Sequence, residues 1–267
     1  MQVQFTKMAG AGNDFVVMGP QYAGLLARAP GLARAICERR RSVGADGLII
    51  VEEAGKGILM HYFNSDGSEA SFCGNGARCL VLYCVEKGIA SGQFAFESNS
   101  GRHRGEVTGG GVRVSMDSPR LLGDHMLDLG GDSRLVTLAE AGVPHAVLIS
   151  DDVGREDVGE LGRAIRTHIR FRPDGANADF VGLRAGEVFP IRTYERGVEK
   201  ETLACGSGCV AAALVLRSKN LTGSRTSFRV ASGDVLTVEL PREGAGGQAY
   251  LTGPAAIVYE GHIELKE

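Results

Sequence analysis

Along the chain, apolar and polar positions fall into short runs separated by glycine-rich punctuation. The segments VQFTKM, DFVVMG, GLIIVEE, ILMHYFN, QFAFESN, VRVSM, AVLIS, ADFVGL, FPIRTYE, SFRVA, VLTVEL and AIVYEG have strand length and carry β-branched or aromatic residues. Each predicts a β-strand. ILMHYFN runs into Asn-Ser-Asp-Gly, a turn signal, and the glycine-rich TGGGV and EGAGGQ read as hairpin turns. Two segments break this pattern. GARCLVLYCVEKG, after Cys73, and CVAAALVLRSKN, after Cys205, have helical length, end in basic residues and are apolar almost all round. A helix apolar on every side is a buried one. The pattern therefore predicts two core helices surrounded by strands, with surface helices near residues 22–39 and 158–168.

Both core helices begin on the same motif, Cys-Gly-X-Gly, and the two cysteines stand 132 positions apart. At that single offset, without gaps, Tyr62 falls on Tyr194, Glu69 on Glu201, Gly74 and Gly76 on Gly206 and Gly208, Phe96 on Phe228, and Ser100-Gly101 on Ser232-Gly233. Agreement of this extent over one strand, loop, helix and strand indicates an internal duplication. The fold expected is α+β, with two pseudo-symmetric halves, each a curved antiparallel or mixed sheet or barrel around a central helix. The N-terminal half spans residues 1–118, rejoined by the last strand at 256–267. The C-terminal half spans 119–255, with the boundary at Ser118-Pro119, and the active site is expected in the cleft between the halves.

Composition narrows the function classes. The 267 residues are 43% apolar and 23% charged, ordinary for a globular protein. A net charge of -3 gives no basic footprint for nucleic acid or an acidic membrane. No apolar run reaches the roughly 18 residues of a membrane span. The opening MQVQFTKMAG lacks the charged and apolar regions of a signal peptide, so a cytoplasmic location is expected. Six cysteines are too few for a disulfide scaffold in a chain of this length, and their spacings match no zinc motif, so no metal is expected. Rossmann, Walker and zinc-helix fingerprints are missing too. Cys37, Cys79, Cys84 and Cys209 read as small buried hydrophobes.

Cys73 and Cys205 read differently. Each stands at the start of a helix, where backbone N–H groups lack internal partners and the helix dipole favours an anion. A thiol there is expected to have a lowered pKa, and the flanking glycines let a ligand approach the backbone. Two thiols on opposite sides of one carbon suit inversion of a stereocentre: one thiolate removes the α-proton and the other thiol supplies a proton to the opposite face. The helix N–H groups then stabilise the charge that moves onto the substrate carboxylate. Such a scheme requires no cofactor.

These motifs carry a resemblance. GAGNDF from Gly10, FNSDGSE from Phe63, CGNGARC from Cys73, ESNSG from Glu97, YERG from Tyr194 and ACGSG from Ala204 resemble, in this order and over essentially the full length, the diaminopimelate epimerase family. The resemblance implies cofactor-independent conversion of LL- to meso-diaminopimelate in lysine and peptidoglycan precursor biosynthesis, and a homodimer. It implies Cys205 as proton acceptor and Cys73 as proton donor in that direction, supported by His145 and Glu195. Gly74, Asn75, Gly206 and Ser207 would cradle the reacting carboxylate. Asn13, Asn64, Asn177, Glu195 and Arg196 would read the substrate's polar groups. The chain departs from the family at Val143, where Asn is common, which removes one polar contact at the distal end. Two rivals stand beside this reading. One is a racemase of another amino acid on the same fold, although proline-type racemases carry His where this chain has Asn75. The other is a thiol redox or metal-binding protein.

Overall fold

The computed structural model describes residues 1–55, 57–183, 186–242 and 247–265. The chain divides into two compact units, Met1–Val114 with Gly253–Glu267, and Ser115–Thr252. The first break lies at Val114/Ser115, four residues before the expected Ser118-Pro119. Likewise, the second unit ends at Thr252 instead of residue 255.

The first unit contains β1 (Gln2–Gly10), β2 (Asn13–Met18), α1 (Ala29–Ile36), β3 (Gly47–Ala54), β4 (Gly57–Asn64), the short β5 (Glu69–Ala70), α2 (Gly74–Glu86), β6 (Gln93–Ser98), β7 (Gly101–Thr108) and β8 (Gly111–Met116). β1 and β2 form a hairpin closed by Ala11 and Gly12, both at positive φ (51° and 90°), the two-residue turn whose twist suits paired strands. β2 pairs β3 in parallel, β3 pairs β4 antiparallel, and β4 pairs β6 in parallel, with α2 in the connection. β6, β7 and β8 follow as an antiparallel meander.

Alternation along these strands explains their continuous apolar runs. Val16, Met18, Leu48 and Ile50 pack on one face with Leu32, Ala33 and Ile36 of α1. Phe15 and Ile49 point to the other face, where they lie closest to Gly76 of α2. A sheet buried on both faces has no polar stripe to show. α2 touches β1 to β4 and β7, and is buried along nearly its whole length.

The second unit repeats the order: β9 (Arg120–Asp128), β10 (Ser133–Ala141), β11 (Val143–Ser150), α3 (Val158–Arg166), β12 (Asn177–Gly182), β13 (Val188–Glu195), β14 (Lys200–Thr202), α4 (Gly206–Ser218), β15 (Arg225–Arg229), β16 (Val235–Glu239) and β17 (Ala249–Gly253). Its pairings match the first unit's: β10–β11 antiparallel, β11–β12 parallel, β12–β13 antiparallel, β13–β15 parallel and β15–β16 antiparallel. α4 begins at the residue that the 132-residue offset assigns from α2. In this unit β9 flanks β10, and in the first unit β18 (Ala256–Glu264), at the end of the chain, flanks β1 in the same way. The protein is thus a two-domain α+β fold, mostly strands with few helices. No helix among the described residues is long and apolar enough to cross a membrane.

The structure departs from the pattern in places. The surface helix expected over 22–39 is a 3₁₀ stretch at Pro20–Arg28 followed by α1, which Pro30 opens in its first turn. The pattern does not predict β7, β9, β10 and β17, nor the short β5 and β14. β7 (GRHRGEVT) is largely polar, and β9 buries only Leu127. Their pairing is set by neighbouring strands, which override weak local preference. TGGGV forms the predicted hairpin, closed at Thr108↔Gly111. EGAGGQ falls largely at 243–246, outside the described residues.

Gly105 of β7 lies against Val81 of α2, and a methyl group there would overlap the stiff valine. Gly105→Ala is expected to lower stability by about 1–3 kcal/mol through overpacking. Gly109→Ala, at a turn position with open space, should change it little. Urea unfolding of the two variants checks the difference.

Candidate active site

Each core helix starts on its cysteine. Cys73 precedes α2 with φ −141° and ψ 113°, and Cys205 precedes α4 with φ −123° and ψ 111°. In both, the cysteine carbonyl accepts the first helical hydrogen bond, from Ala77 N at 2.8 Å and from Cys209 N at 3.1 Å. The two residues are therefore helix N-caps of matching backbone shape, with their side chains beside the first turn of N–H groups. Both helices open on glycine, Gly74 and Gly206.

In the first unit a polar chain holds this helix start. Asn75 is buried. Its Nδ2 donates to Asn13 Oδ1 at 2.7 Å, and its Oδ1 accepts from Arg78 Nη2 at 2.7 Å. The fully buried Arg78 also donates to Gly74 O at 3.4 Å and Pro254 O at 3.3 Å. Asn13 Nδ2 in turn donates to Asp46 Oδ2 at 2.8 Å. Asp46 belongs to an ionic cluster in which Arg39 contacts both Asp46 (2.9 Å) and Asp14 (2.5 Å), and Lys7 contacts Asp14 at 2.7 Å. β1 comes close to this helix start because Gly10 has no side chain: a Cβ there would lie 3.0 Å from Asn75 O and 3.1 Å from Cys79 Sγ. Asn64 ends β4 and donates to Ser68 Oγ at 3.0 Å, while the next residue's N–H bonds Asp46 O at 3.0 Å. The structure thus joins Asn13 to Asn75 at the helix start that follows Cys73, and brings Asn64 to their edge through backbone.

The second unit surrounds its thiol with different chemistry. Gly208 N donates to Cys205 Sγ at 3.4 Å, and Ser207 Oγ lies 3.4 Å from the same sulfur. His145 and Asp179 are both fully buried and bonded, Nδ1 to Oδ2, at 2.7 Å. Asn177, the parallel-register neighbour of His145, places Nδ2 3.4 Å from His145 Nε2 and accepts from Arg196 N at 2.7 Å. Among the described residues, no carboxylate pairs with the Arg196 guanidinium. Burial pushes the Cys205 thiol well above its ordinary pKa, and the charges of Glu195 and Asp179 push the same way, against the Ser207 and Gly208 hydrogen bonds. This corrects the expectation of a lowered pKa at this helix start: loss of water outweighs two hydrogen bonds to sulfur. Burial also raises the Glu195 carboxyl. Val143 sits beside the β10–β11 turn and pairs with Ala141.

The site residues occupy equivalent places in the repeat. At the 132-residue offset Asn13 corresponds to His145, Asn64 to Arg196, Asn75 to Ser207 and Cys73 to Cys205. Sequence reasoning missed Asp179 and Arg78. The signal for each was a charge inside an apolar run, ADFVGL for Asp179 and GARCLVLYC for Arg78. Cys37, Cys79, Cys84 and Cys209 are buried as expected, and burial drives the first three up to about 12.

Comparison with known proteins is consistent across the chain. Residues 5–122 and 137–258 match the diaminopimelate epimerase family model. The chain is similar to the diaminopimelate epimerase of Aquifex aeolicus, 36% identical over 98% of both proteins, and to that of Archaeoglobus fulgidus, 37% identical over 100% of this chain and 98% of the other. The relative from Chlorobaculum tepidum is 38% identical over 97% of this chain and 100% of its own length. Among solved structures, a probable proline racemase from Agrobacterium radiobacter has a TM-score of 0.74 at 15% identity, covering 99% of this chain and 93% of that one. A PhzF-family phenazine biosynthesis protein from Bacillus anthracis has a TM-score of 0.77 at 13% identity, covering 99% and 100%. At such identities the likeness speaks for the fold alone.

The ionic cluster beneath Asn13 carries a pH signature. Burial raises the Asp14 carboxyl, but hydrogen bonds from Arg39 and Lys7 and their charges more than offset it, leaving the pKa below its ordinary 3.8. A depressed carboxylate stabilises the fold above its unfolded pKa, and that stability is lost as pH falls through the folded value. Asp14→Asn should therefore be less stable than wild type at neutral pH, and the gap should close as pH drops below 3.8. Urea unfolding over a pH series measures it.

Proposed function

Because the chain belongs to the diaminopimelate epimerase family, and is therefore an isomerase, we propose that it interconverts LL- and meso-diaminopimelate by a two-base mechanism on Cys73 and Cys205. The observation that carries this reading is the duplicated helix start: two cysteines in one N-cap conformation, each followed by a glycine and a polar residue at the first turn. In the LL-to-meso direction, Cys205 thiolate takes the α-proton and the electron pair moves into the carboxylate. The Cys73 thiol then gives its proton to the opposite face of the carbon. Cys205 ends as thiol and Cys73 as thiolate, so each stereoisomer is bound by the opposite protonation form of the pair. The N–H groups of Gly74, Asn75, Gly206 and Ser207 are suited to the charge that builds on the carboxylate.

Ionising Cys205 is costly in its buried setting. A substrate α-ammonium arriving beside it brings a positive charge that lowers the cost, so the base forms when there is a proton to remove. The distal end is read by polar groups. The Arg196 guanidinium presents a fork that fits a carboxylate, and Asn64, its repeat equivalent, presents an amide. Asn13 and Asn177 complete the set. No cofactor takes part in this scheme, and its product would feed lysine and peptidoglycan precursor synthesis.

The test is exchange of the α-proton in heavy water. Cys73→Ala and Cys205→Ala are each expected to lose about 10²-fold or more of wild-type turnover, the usual contribution of positioned proton transfer, while staying folded. A folded Ala variant that kept more than about a tenth of wild-type turnover would rule out the two-base scheme.

Substrate choice is tested separately. Wild type should exchange one stereocentre of diaminopimelate and leave lysine and proline untouched, since a substrate without a distal carboxylate leaves the guanidinium unpaired. Arg196→Lys should lower kcat/KM on diaminopimelate by at least about tenfold, because a point charge does not reproduce the fork. Equal activity on lysine would refute the substrate assignment and leave the thiol chemistry standing.

A further inference from the structure

Asp179 has no place in the scheme above, yet it costs the fold something. A carboxylate buried without water is expensive unless it is fully hydrogen-bonded. Its two oxygens are both engaged: Oδ2 with His145 Nδ1 at 2.7 Å, and Oδ1 with the Thr193 hydroxyl at 2.8 Å. The sister unit folds without this arrangement, since the repeat places Gly47 where Asp179 stands and Asn13 where His145 stands. The dyad is therefore not a requirement of the architecture.

Two hydrogen-bond constraints on His145 agree. An ionised Asp179 accepts only, so Nδ1 must carry the hydrogen. On the other side, Asn177 Oδ1 is committed to Arg196 N at 2.7 Å, which turns the Asn177 NH₂ group toward His145 Nε2. A donor facing Nε2 requires that nitrogen to be bare. The ring is thus held as the neutral Nδ1–H tautomer from both ends. The same carboxylate also limits the helix that carries the thiol: a methyl on Gly208 would strike Asp179 Oδ1, so the first turn of α4 rests against it. That turn supplies the N–H that bonds Cys205 Sγ.

We propose that Asp179 is a positioning residue for the epimerisation, fixing the His145 tautomer and, through Gly208, the seat of the Cys205 thiol. The proposal rests on the two-thiol reading for its consequence to turnover, but its structural content is independent of the substrate. Residues His145, Asn177 and Arg196 then form a single hydrogen-bonded unit ordered by one buried charge, and the Cys205 side of the duplication differs in kind from the Cys73 side.

The experiment is ¹⁵N NMR of histidine-labelled, substrate-free protein, together with steady-state kinetics. In wild type at neutral pH, His145 should show a protonated Nδ1 and a bare Nε2. In Asp179→Asn, the Thr193 hydroxyl holds the amide oxygen and turns the NH₂ group toward Nδ1, so the ring should move to the Nε2–H tautomer. kcat should fall at least about tenfold, and KM should rise with it, because the new Nε2–H faces the Asn177 NH₂ group and disturbs its bond to Arg196. A residue that only supports the fold would leave the tautomer alone. Wild-type kcat in Asp179→Asn, or an unchanged tautomer in it, would overturn the proposal. Should that variant not fold, the wild-type spectrum still decides: a protonated Nε2 at neutral pH would refute it. Failure of wild type to exchange diaminopimelate would instead refute the substrate reading, without touching the tautomer.

Discussion

The structure depends on the burial of two helices on every side. α2 and α4 are packed among strands of their own units, so no lateral face of either reaches water along most of its length. Chemistry can then be presented only at a helix end. The N-terminal end offers N–H groups that the helix cannot satisfy, and burial in a low-dielectric setting strengthens whatever binds them. The strands, the parallel crossovers and the close approach at Gly10 all serve to hold those two ends. Glycines of the Cys-Gly-X-Gly motifs let the first turns pack closely, Gly76 against Phe15 and Ile49, Gly206 against Leu251 and Gly208 against Asp179.

Duplication supplied the scaffold, and divergence then assigned charge. Around Cys73 the polar groups are amides and a buried guanidinium: Asn13, Asn75 and Arg78. Around Cys205 they are a histidine and two acids: His145, Asp179 and Glu195. The backbone of the two N-caps has hardly changed, while the side chains around them have. A stereocentre has two faces that the enzyme must treat differently at any instant, one losing a proton as the other gains one. Equivalent thiols in unlike surroundings suit that task better than a perfectly symmetric pair.

The elements that the sequence showed clearly are those with strong local signals. β2, β3, β12 and both core helices declare themselves through uninterrupted apolar runs, and the duplication was visible because Tyr62, Cys73, Phe96 and their partners kept one offset. β7 and β9 did not declare themselves, since their residues are mainly polar and their pairing comes from neighbours. Of the site, the cysteines and glycines could be reasoned from helix ends alone. The asparagines, His145 and Arg196 entered only through the family resemblance, because a single Asn in a turn has no local signature of function.

What the sequence by itself determined was the repeat, the buried helices and the presence of a thiol at the start of each, because these follow from periodicity and from the physics of a helix terminus. Tertiary structure alone decided the charge environment of those thiols. Asp179 and His145 are 34 residues apart and meet only because β11 and β12 pair in parallel. Arg78 finds Pro254 across 176 positions. Nothing local encodes such contacts, so the expectation of an acidic thiol held no information about the burial and the two carboxylates that push Cys205 the other way. A helix end can be read from a run of residues, but a pKa depends on everything that packs around it.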